Sequence, residues 1–424
     1  MRTNMFCRRT TRRTFAAWIL AGVVAVCLLA TPSASAQWLQ WGGPNQDFKA
    51  DAKGLAASWP TDGPNKLWQR DLGDGYSAIL ADAGRLYTMF RSDDKEAIIS
   101  LDAKTGKTIW EHRYDSSPRE DHAHEFGDGP RSTPLIAGDR LFAIGVEGKM
   151  HCLDKKSGKV YWRRDLWTEF EGNVLNHGYA SSPIAYKNTV ITLVGGKGAG
   201  IVAFDQASGD VVWKNQDFEN SYSSPKIIRV DGEDQLVTFM AEQIIGVDPN
   251  SGALKWEYPC ANRWKQNVCM PTWDEASNTL FFSASQVGSR GLRLKRDGDK
   301  TKVEEIWFTR KIHLYHVTSV KIGDYVYGST GNRAPNFFSA INMKTGEIAW
   351  RERGFAKATC VLADGRIIIL DEDGNLALVT ATPDKFTVHS RFELFDKVAW
   401  TVPTIVGKTM YVRDKEKIMA LDIG

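Results

Sequence analysis

Short apolar runs alternate with polar turns along this chain, and one such unit keeps returning. In "ISLDAKTGKTIW" (Ile99 to Trp110) apolar residues stand at strand spacing, a polar turn follows, and a second strand ends in tryptophan. The unit comes back as "HCLDKKSGKVYW" (His151 to Trp162), "VAFDQASGDVVW" (Val202 to Trp213), "IGVDPNSGALKW" (Ile245 to Trp256) and "SAINMKTGEIAW" (Ser339 to Trp350). Asp102, Asp154, Asp205, Asp248 and Asn342 open the turns with an oxygen that accepts backbone N–H groups. Gly106, Gly158, Gly209, Gly252 and Gly346 stand where φ must become positive. Each unit therefore reads as a β-hairpin with a loop of about four or five residues. A tryptophan ring buries roughly 150–250 Å², which on a second strand requires a neighbouring sheet.

Trp68, Trp110, Trp162, Trp213, Trp256, Trp307 and Trp350 recur 42, 52, 51, 43, 51 and 43 residues apart. That period is the length of a four-stranded propeller blade. Two further units, about 354–391 and 399 to the terminal "MALDIG", lack the closing tryptophan, and the last lacks an outer strand. "NKLWQRDL" (Asn65 to Leu72) is an outer strand without a blade. Pairing the two ends predicts one all-β, eight-bladed propeller of four-stranded antiparallel blades over 65–424, with Trp68 beside the C-terminal strand and no exposed edge. The starts "GYSAIL", "RSTPLI", "ASSPIA", "YSSPKI", "VCMPTW", "HVTSVK", "KATCVL" and "WTVPTI" align as eight inner strands. Proline in five of them suits a channel-lining edge strand, which can spare an N–H.

Residues 1–36 read as an export signal and 37–64 as an N-terminal extension. "RRTTRRTF" is a basic leader with a twin-arginine resemblance, "AAWILAGVVAVCLLA" an apolar core, and Ala34-Ser35-Ala36 a cleavage site. The expected location is the periplasm or the exterior, as a monomer, with no transmembrane segment once the signal is removed. Residues 1–36 hold five of the 54 basic residues and none of the 51 acidic ones, so the remainder carries a net charge of −2. The clustered basic excess of a nucleic-acid binder is missing. In an oxidising compartment Cys260 and Cys269 could bridge, whereas Cys152 reads as core.

The D-x-x-x-G-x-x-x-W phrases and S-S-P strand starts resemble the PQQ-type (pyrroloquinoline-quinone-like) β-propeller repeat family over residues 38–424. "WLQWGGPNQD" near Trp38 is similar to the opening of exported propellers of unsettled role. The family includes quinoprotein dehydrogenases, which carry PQQ and Ca²⁺ in the axial funnel, and BamB-type assembly propellers, which present loops to partner proteins. No Cys-Cys pair supplies the quinone platform, and no Glu, Asn and Asp trio maps onto the family's calcium-ligand positions. The expectation is a non-catalytic binding or scaffold protein without a cofactor. The alternative is a PQQ- and calcium-dependent alcohol or sugar dehydrogenase.

Two connections at one end of the axis are long, 111–133 and 163–182, and place a working surface there. The positions opening the inner strands supply candidate ligand-binding groups: Tyr76, Arg131, His177, Tyr222, His316, Lys357 and Trp400. Aromatic rings beside cations suit a protein, a glycan or a small anion, although the same side chains can simply plug the channel. Arg131, His177, His316 and Lys357 are expected to converge in one positive depression. His122, His124 and Glu125 are weak metal candidates, since such a run is equally at home in a solvated loop.

Overall fold

In the computed structural model, which describes residues 37–331 and 335–424 apart from the side chains of His316 and Val317, each repeat folds into one antiparallel sheet. Segments 80–115, 135–165, 184–215, 226–259, 272–309, 314–353 and 359–393 each supply four consecutive strands, blades 1 to 7. Blade 8 takes three strands from 404–422 and its outer strand from Asn65–Asp71, which runs antiparallel to Lys417–Asp422 with Trp68 opposite Ala420. The protein is therefore an all-β, eight-bladed propeller closed by its own N-terminal strand. The expected export signal lies outside the described residues. Among those residues no helix is long and apolar enough to cross a membrane.

The recurring tryptophan is explained by its neighbour. A Cβ on Gly158 of blade 2 would lie 2.6 Å from the ring of Trp110 in blade 1, and Gly106, Gly209, Gly252 and Gly346 face Trp68, Trp162, Trp213 and Trp307 in the same way. The indole N–H then donates to a carbonyl in that turn: Trp110 to Lys155 O (3.0 Å), Trp162 to Gln206 O (3.2 Å), Trp307 to Met343 O (2.8 Å). Asp154 Oδ1 holds the turn from inside, accepting the N–H groups of Lys156 and Ser157 at 3.1 and 2.7 Å. Trp256 departs from the pattern and donates to Gln235 Oε1, because blade 5 has a long hairpin where the short turn would stand.

The small hydroxyl residues before each inner strand answer a different need. Inner strands diverge around an axis, so their outward N–H and C=O groups lack a ladder partner. Hydroxyls of the next blade supply it: Ala78 N donates to Thr133 Oγ1, Thr133 N to Ser182 Oγ and Ser182 N to Ser224 Oγ, at 3.1, 2.9 and 2.9 Å. The seam between blades 8 and 1 is joined by Arg413, whose buried guanidinium donates to Met89 O at 2.7 Å and Gly73 O at 3.1 Å.

Residues 37–50 cross the channel. Trp38 pairs with Ala81 of blade 1, Leu39 O accepts from Ile136 of blade 2, Gln46 O accepts from Lys226 Nζ of blade 4, and Lys49–Ala50 adds a parallel strand to Thr359–Ala363 of blade 7. The chain then leaves across blades 8 and 7, where Ala56 N donates to Ile423 O and Trp59 N to Ser390 Oγ, and reaches Asn65.

Two sequence expectations change. The long connections are shorter than 111–133 and 163–182, because outer strands continue through Asp115 and Asp165; the second then forms a short helix, Leu166–Phe170. All four described cysteines, Cys152, Cys260, Cys269 and Cys360, are buried and outside any disulfide, so Cys260 and Cys269 do not bridge.

Candidate functional site

On the face that carries the two long loops, the inner strands open into an axial cup of about 150 Å³. Its floor is Trp41 and Phe48, packed edge to face with ring centroids 5.4 Å apart, so the segment crossing the channel closes the cup from below. Tyr76, Arg131, Ala180, Tyr222, Val268 and Trp400 line the wall, each just before an inner strand where strand-start alignment puts it. The short helical turn His124–Phe126 brings Phe126 over the wall, 5.1 Å from Trp400, and Trp400 lies 5.1 Å from Tyr76. The loops brace one another: Ala123 N donates to Asn176 O at 2.8 Å, and His177 N to Tyr222 Oη at 3.1 Å.

Among the described residues Arg131 is the cation lining the cup. Its Nη1 and Nη2 donate to Gly129 O and Gly127 O at 3.2 and 2.7 Å, and among the described residues it has no carboxylate at ion-pair distance. The nearest acids are engaged elsewhere, Asp74 by the N–H groups of Asp128 and Gly129 and by Lys415 at 3.7 Å, Asp128 by His124 at 2.6 Å. Burial lowers the pKa of Arg131 from an ordinary value high enough that it stays charged at neutral pH. Burial, with the Asp74 charge, lifts the Tyr76 phenol to about 12. His177 is held below its ordinary range by burial and by Arg131, and its Nδ1 is buried without a hydrogen-bond partner.

The structure brings together Tyr76, Arg131, His177, Tyr222 and Trp400, but not the whole predicted set. Lys357 stands outside the lining, paired with Glu372 at 2.8 Å and 5.7 Å above the Trp400 ring. Its charge is neutralised, so the expected positive depression rests on Arg131. The side chain of His316 lies outside the described residues; its neighbour Tyr315 lines the cup and donates to Gln266 Oε1 at 2.7 Å. His122, His124 and Glu125 do not converge. His122 is buried against Trp167 with Nδ1 3.2 Å from Glu147, His124 turns to Asp128, and Glu125 is exposed. Sequence reading missed Trp41, Phe48, Phe126, Gln266 and Tyr315. Only Tyr315 carried a signal, one position from the residue chosen.

A quinone–calcium pair would need oxygen ligands for the metal, carboxylates above all. Among the described residues no Asp or Glu lines the cup, and no three His, Cys, Asp or Glu side chains gather to hold an ion. The residues present do not fit that pair.

Known proteins place the chain. It is 24% identical over 308 residues to the outer membrane protein assembly factor BamB of Shewanella oneidensis, covering 68% of this chain and 74% of the relative. It is 25% identical over 211 residues to the quinohemoprotein alcohol dehydrogenase ADH IIB of Pseudomonas putida, covering 46% of this chain and 28% of that enzyme. Among solved structures, BamB from Moraxella catarrhalis superposes with a TM-score of 0.61 at 16% identity, over 85% of this chain and 99% of that one, a likeness of fold. Residues 94–352 match the family model described as outer membrane protein assembly factor BamB, and the chain belongs to that family of PQQ-type propellers.

Proposed function

We propose that this chain is an exported, non-catalytic binding or scaffold propeller that works through the axial face with the two long loops. One observation carries the reading: the cup is floored by the chain's own N-terminal segment and walled by aromatic rings around the Arg131 guanidinium, which has no carboxylate partner, and among the described residues no acid lines it. Such a cavity can seat a polar or anionic group, and it offers no carboxylate for proton transfer or metal binding. Beside it a shallow groove shares Tyr222 and exposes Val174 and Trp264, which extends the surface toward a protein or glycan. Relatives named outer membrane protein assembly factors support the scaffold reading, and the leader supports a periplasmic or secreted location.

The test is native purification from the export compartment followed by mass spectrometry. A bound partner or ligand is expected with the native chain and absent after joint Arg131→Ala and Lys357→Ala replacement, with the thermal midpoint unchanged. If the double variant retains the bound species, the cup is not the working surface. If it unfolds, the two cations serve the fold.

A further inference from the structure

The hydrogen-bonding groups that face the cup are unbalanced in one direction. Ser182 Oγ and Ser224 Oγ each already accept a backbone N–H, from Thr133 and Ser182, both at 2.9 Å, which leaves their O–H hydrogens to point elsewhere. Tyr222 Oη accepts from His177 N, so its proton is likewise available. The Gln266 carbonyl oxygen is taken by Tyr315, and its NH₂ group donates to no acceptor among the described residues. Arg131 spends two N–H groups on Gly127 and Gly129 and keeps three of its five. What remains in the cup is chiefly donors around a fixed positive charge; against them stand the Tyr76 oxygen, whose proton goes to Phe126 O at 2.7 Å, and the His177 ring, whose Nδ1 has no partner, and among the described residues no carboxylate lines the cup.

Shape narrows the ligand. About 150 Å³ has room for a single ring rather than a folded segment or a tricyclic cofactor, since one water occupies roughly 10–15 Å³ by the same measure. The rings that line the space are Trp400, Tyr76 and Phe126 on the wall and Trp41 on the floor, an aromatic surround suited to a flat or sugar ring. A guanidinium with free N–H groups recognises a carboxylate by paired hydrogen bonds.

Resting on the binding reading above, we infer that the cup takes a small ring bearing one carboxylate, a uronic acid or an aromatic acid. The ring lies among the aromatic walls, and the carboxylate accepts from Arg131, Tyr222 and the serine hydroxyls. The fit is to the anion itself, because the neutral amide would bring donors of its own against a donor-lined wall.

The purified full chain is titrated calorimetrically at pH 7 with glucuronate and with benzoate, and in parallel with glucuronamide and benzamide, while tryptophan fluorescence follows Trp41 and Trp400. At least one acid is expected to bind and change the fluorescence, with its amide at least tenfold weaker. Binding of glucuronate alone marks the source as a sugar acid, and of benzoate alone an aromatic acid. Arg131→Gln is expected to lose tenfold or more of the acid affinity at an unchanged thermal midpoint. Should that variant fail to fold, Tyr222→Phe, which keeps the ring and removes the donor, is expected to weaken the acid and leave the amide unchanged. Amides that bind as well as acids, or acids indifferent to the folded variant, overturn the anion assignment and leave the cup a binding site. If none of the four probes binds, this ligand class is wrong, and the co-purification experiment alone then decides the binding reading.

Discussion

Gly158 has no Cβ because Trp110 of the preceding blade occupies that space, and its φ of 73° lies where side chains are strained in any case. Both constraints act on one atom, so the turn glycine and the tryptophan behave as a single contact between blades. Gly158→Ala is expected to cost about 3 kcal/mol, from overpacking and a left-handed φ together. Trp162→Ala, which strips the cover from Gly209 and frees the Gln206 carbonyl, should cost about 3 kcal/mol, less than a fully buried tryptophan because the ring is only partly covered. Urea unfolding measures both; losses below about 1 kcal/mol would show that these rings decorate the blades without joining them. The same scale explains what was readable at the site. Arg131 and Tyr222 each precede an inner strand, a position the repeat alignment marks. Lys357 holds the same position but meets Glu372, which arrives from the next hairpin and could not be paired with it from spacing alone.

Among the elements, the N-terminal segment shows the largest gap between pattern and role. Residues 37–64 carry no repeat and read as an extension, yet Trp38, Gln46 and Phe48 are buried inside the ring. Nothing local announces this, because the partners lie on blades 1, 2, 4 and 7, whose inner strands face one another only after closure. Lys226 reports on the segment. It donates to Gln46 O at 2.7 Å, and burial, opposed by Asp47, lowers its pKa from 10.5 to about 8. Between those values the unfolded chain holds a proton that the folded chain has released, so stability rises with pH there, and below about 8 the cost of burying the cation is borne in full. Lys226→Met has no such proton. The native protein is expected to gain roughly 3 kcal/mol on the variant between pH 8 and 10.5 in chemical unfolding. A difference independent of pH would mean that Lys226 is neutral or solvated throughout.

At the level of the whole molecule, closure depends on a strand 346 residues away from its partner in sequence, with Asn65–Asp71 completing the blade that ends at Asp422. Removing 65–71 would expose Lys417–Asp422 as an unpaired edge, which recruits other chains. Light scattering on the deletion variant should find dimers and larger species where the native chain is expected to be monomeric. A monomeric variant of unchanged midpoint would show that the ring is held by blade packing and by Arg413, whose buried guanidinium spans the same seam.

Periodic residues determined the architecture before any contact was known. Apolar alternation, the Asp-to-Gly turn and the returning tryptophan are local chemistry, repeated, and their count sets eight blades with the ends paired. The rim position of Arg131 and Tyr222 follows from the same register. Tertiary structure alone decided how the cup is floored, which cation stays unpaired and which donors remain free, because each depends on groups from different blades meeting around an axis. A repeat specifies what every blade does alike; the cup is made where the blades differ.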